Sequence, residues 1–292
     1  MDKLTTENEL GLAAGAIEIL APDAQRIPYV FASPHSGRDY PKSFVSQSRL
    51  DPLALRRSED SFVDELFSAA PQFGAPLLKA NFPRAYVDPN REAFELDPEM
   101  FVDDLPDYVN TRSVRVSAGL GTVARVVSNG EEIYDGKLNF EEAKRRVEGA
   151  YVPYHNALKR LITNTKSKFG TCALIDCHSM PSIGGPMDDD HGKGRMDIVL
   201  GNNHGNACAP ELIALVDDCL TMEGLAVRRN NPYAGGFTTR HYGQPHTGVH
   251  TLQIEINRAL YMQEDRMEKN AGFAGLQDKL RTLISKLADF RL

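Results

Sequence analysis

Long apolar runs are missing from this chain. No stretch of its 292 residues approaches the ~18–20 consecutive apolar residues of a membrane-spanning helix, and the first twenty lack the basic segment and continuous apolar core of a secretory leader. A cytoplasmic protein is the resulting expectation. Cysteine is scarce as well: Cys172, Cys177, Cys208 and Cys219 match no zinc ribbon, zinc finger or CxxC redox pair, and a chain of this size needs no disulfide staples. All four are read as free thiols, mostly buried. Basic runs are absent, and 33 Lys+Arg against 40 Asp+Glu leave a formal charge of -7. That argues against nucleic acid and membrane surfaces and for a small, polar partner molecule. The oligomeric state is not legible.

Three nucleotide and nucleophile motifs are also lacking. Gly119-Leu-Gly121 and Gly184-Gly185 do not belong to a GxGxxG strand-to-helix unit, and no GK[ST] element occurs, which disfavours dinucleotides and P-loop nucleotides. Ser36 and Ser179 each follow a histidine, yet without GxSxG neither has the context of a nucleophile elbow.

With 41% hydrophobic residues, the chain can bury a large core as one catalytic domain. Segments of strand and helix character alternate from residue 28 to the C-terminus, with no repeat or low-complexity linker, so residues 1–27 are set aside as an N-terminal extension and 28–292 as a single domain. The alternation predicts an α/β fold with a central, mainly parallel or mixed sheet flanked by helices. Strands are expected over 28–33, 75–80, 84–88, 171–179, 197–201 and 250–257. Helices are expected over 51–70, 139–168 and 209–223 and at the C-terminus. Residues 92–112, 180–195 and 235–248 read as loops.

The chemistry gathers at strand ends. His35 follows the apolar strand 28–33 in Ser33-Pro-His-Ser-Gly37, and His178 ends the next compact strand in Asp176-Cys-His-Ser179. Open α/β sheets bind ligands at that edge. A lone strand-end histidine more often caps a carbonyl, but two of them with carboxylates nearby point to a metal, and imidazole suits Zn²⁺. Asp60, expected on the intervening helix, is the third ligand favoured here, with Glu59 and Asp64 as competitors. Asp176 shares a strand face with His178 and can fix its tautomer. In the last strand Gln253, Glu255 and Asn257 alternate with apolar residues, which turns a polar face to the site. Glu255 is then a buried general base and acid for a metal-activated water.

Arg84, Arg91 and Arg258 lie beside expected strand ends, where a guanidinium can grip a carboxylate through paired hydrogen bonds; Asp88 and Asn90 are placed to orient the first two. His241, His246 and His250 belong to or follow a glycine-rich loop that reads as a lid contributing transition-state contacts. Strand parity turns His250 away from Glu255 unless the strand begins later.

Ser33-Pro-His-Ser-Gly37, Ser58-Glu-Asp-Ser-Phe-Val-Asp-Glu-Leu-Phe67, Arg84-Ala-Tyr-Val-Asp-Pro-Asn-Arg91, Asp176-Cys-His-Ser-Met-Pro181, Asp197-Ile-Val-Leu-Gly201 and Gly248-Val-His-Thr-Leu-Gln-Ile-Glu-Ile-Asn257 occur in order and with comparable spacing. Together they resemble the N-formylglutamate amidohydrolase family, from about residue 28 to the end. The resemblance implies a phosphorylase/hydrolase-like three-layer fold distantly similar to zinc carboxypeptidases and aspartoacylase, and one zinc per chain, with another divalent metal as the alternative. It also implies hydrolysis of N-formyl-L-glutamate to formate and L-glutamate within bacterial histidine degradation. Carried over position by position, His35 and His178 match the family's PHSG and DxHS histidines, Asp60 the acidic residue of its helix and Glu255 its QxE glutamate, which shuttles the proton. The family's reaction also implies a lid histidine, for which His241 and His250 are taken, and arginines on the substrate carboxylates, for which Arg84, Arg91 and Arg258 are taken with Asn90 beside them. Asp176 and Gln253 stand behind these groups. No HxxE ligand pair is present, since Arg38 occupies the third position after His35, so the carboxylate ligand stays open. The competing readings are a related zinc amidohydrolase acting on another N-acyl acidic amino acid and a catalytically silent binding protein of the same fold.

Overall fold

The computed structural model describes residues 11–12, 15–186, 188 and 190–291. Seven strands form one sheet in the order β1-β3-β2-β4-β7-β5-β6. They are β1 Ile17–Leu20, β2 Tyr29–Ser33, β3 Leu77–Ala80, β4 Cys172–Met180, β5 Ile198–Gly201, β6 Val227–Arg229 and β7 Val249–Asn257. The central four, β3, β2, β4 and β7, run parallel, while β1 and β5 join antiparallel, so the sheet is mixed. Residues 17–20, set apart from the domain in the sequence, pair with β3 as its edge strand.

The helices are α1 Lys42–Gln47, α2 Pro52–Arg56, α3 Val63–Leu66, α4 Val114–Ser117, α5 Phe140–Arg146, α6 Val152–Phe169, α7 Pro210–Met222, α8 Phe237–Tyr242 and α9 Phe273–Asp289. They cover both faces. On one, Phe31, Ile175 and Ile254 pack with residues of α3, α7 and α9; on the other, Val30, Leu78 and Leu174 pack with α5, α6 and the segment 82–138. Side-chain alternation makes this work: β4 is buried along its whole length, so its two faces serve two cores. No helix of the described residues is long and apolar enough to cross a membrane.

Several elements differ from the sequence reading. The helix expected over 51–70 is broken. Asp51 caps α2 by accepting from the Leu53 and Ala54 amides at 2.8 and 2.9 Å, but the chain leaves the helix after Arg56, and the Asp60 amide donates to the His35 carbonyl at 3.0 Å. The Ser-Glu-Asp-Ser sequence over 58–61 favours such a break, because short polar side chains compete with helical hydrogen bonds. Phe62 then takes φ +67°, a left-handed conformation costing roughly 1–2 kcal/mol in a non-glycine residue. The expected strand 84–88 is a turn. The expected helix 139–168 runs as α5 and α6 joined by a π-helical turn over Val147–Tyr151. Pro153 enters just after it and removes an interior donor, which is a cause of such widening. Inside the loop expected over 235–248, α8 forms.

The segment 82–138 is fastened to α5 by Arg146, which is fully buried. Its guanidinium donates to the Tyr134 hydroxyl at 2.6 Å and the Tyr86 carbonyl at 3.2 Å and pairs with Glu142. It also lies over the Tyr86 ring, 4.6 Å from the centroid. Removing one partner of such a buried network leaves the others unpaired. Arg146→Met is therefore expected to lower the unfolding free energy by about 3–5 kcal/mol, read from urea denaturation; a loss under about 1 kcal/mol would show that the cation is not what secures this segment.

Candidate active site

All the strands that bear site residues end at the same edge of the sheet. β2 delivers His35 through the turn after Ser33, β4 carries Asp176 and His178 in its last half, and the adjacent β7 carries Gln253 and Glu255. Parallel pairing in register sets Asp176 beside Gln253 and His178 beside Glu255. On the same face of β4, Cys172 and Leu174 belong to the core that contains α6 residues, so one strand face changes from packing to chemistry along its length. The close turn after β2 requires glycine at position 37. A Cβ there would come within 2.2 Å of the Phe82 carbonyl oxygen.

Three side-chain atoms converge at this edge. His178 Nδ1 lies 3.1 Å from His35 Nδ1 and 3.1 Å from Asp60 Oδ2, and His35 Nδ1 lies 3.2 Å from Asp60 Oδ2. All three residues are buried, and they form a cluster able to hold a metal ion. Tetrahedral zinc with bonds of about 2.0–2.1 Å places its ligands ~3.3 Å apart, close to the spacings found. Carboxylates lie against the opposite ring nitrogens: Asp88 Oδ1 is hydrogen-bonded to His35 Nε2 at 2.7 Å, and Asp176 Oδ2 lies 3.0 Å from His178 Nε2 as an ion pair without hydrogen-bond geometry. The bond to Asp88 makes Nε2 the protonated nitrogen of a neutral His35 ring, so its Nδ1 faces the cluster with its lone pair, while the charge of Asp176 favours a proton on the His178 ring.

Asp60 is fixed on its far side by Arg258, whose Nη2 donates to Oδ1 at 3.0 Å. Burial pushes the Asp60 carboxyl upward, but hydrogen bonds from His178 and His35, followed by the charges of His35 and Arg84, outweigh it and hold the group well below its ordinary value. The rival carboxylates are occupied elsewhere. Glu59 accepts from Tyr40 at 2.7 Å, Ser61 at 2.6 Å and Arg56 at 3.0 Å, and Asp64 faces Lys79 at 3.4 Å.

Glu255 stands next to the cluster. Burial pushes its carboxyl up to about 7; the charges of His178 and Arg84 oppose that rise and those of Asp60 and Asp176 add to it. Gln253 aims it, donating from Nε2 to Glu255 Oε1 at 2.9 Å while its own Oε1 accepts from the Gly236 amide at 2.8 Å. Glu255 Oε2 has no hydrogen bond among the described residues. A carboxyl with a pKa near neutrality can both accept and return a proton.

His35, His178, Glu255 and Arg258 line one pocket of about 190 Å³, room for a ligand of amino-acid size. Arg84 pairs with Asp88 at 2.7 Å, and the same carboxylate lies 3.7 Å from Arg91. Arg91 also donates to the Leu120 and Asn90 carbonyls, each at 2.8 Å. Burial lowers its pKa to about 10; Asp88 opposes this, while nearby Arg115 and Arg84 reinforce it. Asn90 accepts from the Thr238 amide at 2.8 Å and thus ties the first turn of α8 to the pocket floor.

Other expected site residues lie elsewhere. His250 sits on the opposite face of β7 and accepts from the Ala209 amide at 3.0 Å, capping α7. His241 is exposed on α8 and stacks on Phe237, with ring centroids 4.8 Å apart. Neither lines the pocket. Arg258 lines it, but its donors are taken by Asp60, by Ser179 Oγ at 3.2 Å and by the Arg57 carbonyl at 3.1 Å. Conversely, Arg115 on α4 and Tyr233 line the pocket and escaped the sequence reading. Both sit outside the strands and carry no metal-ligand or strand-end pattern.

The model of the N-formylglutamate amidohydrolase family matches residues 27–262. N-formylglutamate deformylase of Pseudomonas aeruginosa is 29% identical over 276 residues, 93% of this chain and 95% of the relative. N-formylglutamate deformylase of Pseudomonas putida is 28% identical over 251 residues, 85% of this chain and 86% of the relative. The crystal structure of N-formylglutamate amidohydrolase from Ralstonia eutropha JMP134 is similar with a TM-score of 0.85 at 36% identity, covering 94% of this chain and 98% of that one. A protein of Agrobacterium tumefaciens, 20% identical with a TM-score of 0.63 over 94% of this chain and 95% of its own, shares the fold. The segments that carry His35, Asp60, His178 and Glu255 all fall within the matched range, and the chain belongs to the N-formylglutamate amidohydrolase family.

Proposed function

We propose that this protein is a zinc-dependent amidohydrolase that cleaves N-formyl-L-glutamate to formate and L-glutamate as part of histidine degradation. The observation that carries the reading is the convergence of His35 Nδ1, Asp60 Oδ2 and His178 Nδ1 beside a carboxyl, Glu255, whose pKa is raised to about 7. The relatives named N-formylglutamate deformylase support the substrate. We place the activity in one catalytic domain that includes β1, in a cytoplasmic protein.

The donor set suits zinc, because two imidazoles and a carboxylate leave a fourth tetrahedral position for water or substrate. When bound there, zinc supplies a Lewis acid for the formyl carbonyl and makes water more acidic. Glu255 takes the proton from the attacking water and returns it to the departing amine nitrogen as the C–N bond breaks. Gln253 keeps Glu255 turned toward that position, Asp88 keeps the His35 imidazole in the ligating tautomer, and Asp176 sets a negative charge against the His178 ring. The cationic wall around Arg84 and Arg91 receives the negative substrate.

Glu255→Gln is expected to bind zinc as the parent does and to lower kcat on the order of a hundredfold or more. Near-normal turnover would remove Glu255 from the proton transfer. Formate release from N-formyl-L-glutamate is expected to cease on chelation and to return with zinc, and to exceed release from N-formyl-L-aspartate and acetate release from N-acetyl-L-glutamate; activity indifferent to chelation would refute the metal. Metal uptake should also release protons. Burial opposes charge on His178, but Asp176 and Asp60 outweigh it and raise its pKa well above the ordinary value, so the ring holds a proton at neutral pH that a metal must displace. Zinc affinity should therefore weaken as pH falls. Calorimetry in buffers of different ionisation enthalpy would show the released proton, and uptake without one would contradict this wiring.

A further inference from the structure

We infer that Arg115 is the specificity-determining residue that receives the side-chain carboxylate of the substrate; the inference rests on the proposed deformylase reading. Four arginines line the pocket, and three are already committed. Arg84 is paired with Asp88. Arg91 spends Nε and Nη1 on the Leu120 and Asn90 carbonyls, with the same Asp88 beside Nη2. Arg258 is divided among Asp60, Ser179 and the Arg57 carbonyl. Arg115 lines the same pocket, is exposed, and its guanidinium has no ion-pair or hydrogen-bond partner among the described residues.

The mounting of Arg115 supports a binding role. Ser113 caps α4 by accepting from the Val116 amide at 3.0 Å, and its hydroxyl is held by Glu95. The Glu95 amide is in turn bonded to Thr122 Oγ1 at 3.1 Å. The Leu120 amide donates to the Arg115 carbonyl at 2.8 Å, and the Leu120 carbonyl receives Arg91 Nε at 2.8 Å. A short chain of hydrogen bonds thus fixes the backbone of Arg115 relative to the buried arginine of the pocket floor, while its side chain is left free. Ordering a guanidinium by ligand rather than by protein suits recognition of a carboxylate, which it can hold through two parallel hydrogen bonds.

The position also fits the shape of the substrate class. The scissile amide must reach Glu255 and the His35–Asp60–His178 cluster, and the α-carboxylate, attached to the same carbon as the amide nitrogen, stays close to that buried end. A side-chain carboxylate several bonds further out falls toward the exposed rim, where Arg115 stands. Arg115 accordingly separates N-formyl amino acids with an acidic side chain from isosteric neutral ones, because an unmet charge at this rim favours only the former.

The test compares N-formyl-L-glutamate with its neutral isostere N-formyl-L-glutamine, in the parent and in Arg115→Met and Arg115→Lys. The parent is expected to prefer the glutamate compound, and Arg115→Met to cut that ratio of kcat/KM roughly 10- to 100-fold, the loss of a charge-assisted hydrogen-bonded contact, mainly through KM. Arg115→Lys, with charge but no planar fork, should recover part of the preference. Equal losses on both substrates would show a merely structural role, and an unchanged ratio would show that another group reads the side chain; either result overturns the assignment. A zinc-loaded parent inactive on both compounds would instead bring down the deformylase reading itself, and the inference with it.

Discussion

Two buried carboxylates, Asp88 and Asp176, lie against the Nε2 atoms of His35 and His178 at 2.7 and 3.0 Å, and the rest of the site depends on that pairing of charge. A neutral imidazole has one donor nitrogen and one acceptor. With the His35 donor committed to Asp88, the Nδ1 atoms of both rings face one another across 3.1 Å with Asp60 Oδ2 alongside. Three electron-rich atoms at that distance repel unless a positive charge lies among them. In the protein alone a proton on His178 serves, which is the physical content of its raised pKa; a metal ion answers the same demand in full.

The sheet supplies these parts at one place because its central strands are parallel and end together. β2 and β4 are neighbours, and the strand order turns outward on either side of them, which opens a crevice beyond their carboxyl ends. The buried charges there are expensive, and each is therefore met by another. Asp60 has Arg258, Asp88 has Arg84, and Asp176 has His178. Breaking any one pair strands its partner in a dry setting. Two hydrophobic cores, one on each sheet face, provide the stability that tolerates this network.

Much of the site was legible in the sequence because strand periodicity dictates it. Asp176 and His178, and Gln253 and Glu255, share faces by the rule of two, and the turn-rich ends of β2 and β4 announced His35 and His178. The same parity argument placed His250 away from Glu255, where the structure has it capping α7. Other features were not legible because they depend on tertiary contacts. The run 51–70 has helical spacing throughout, yet the bond from the Asp60 amide to the His35 carbonyl breaks it. Asp88 reads as an orienter of arginines and also holds His35, a contact between residues 53 apart in the chain. Arg115 lies on a four-residue helix in a loop region, and no local pattern connects it with the strand ends it faces.

The most direct test of the account is the first coordination shell of the zinc-loaded protein, measured by X-ray absorption. Two imidazole nitrogens with oxygen donors at about 2.0–2.1 Å, reduced to one imidazole in His35→Ala or His178→Ala, are the expected result. A shell containing sulfur, or one unchanged when either histidine is removed, would contradict the site built around His35, Asp60 and His178.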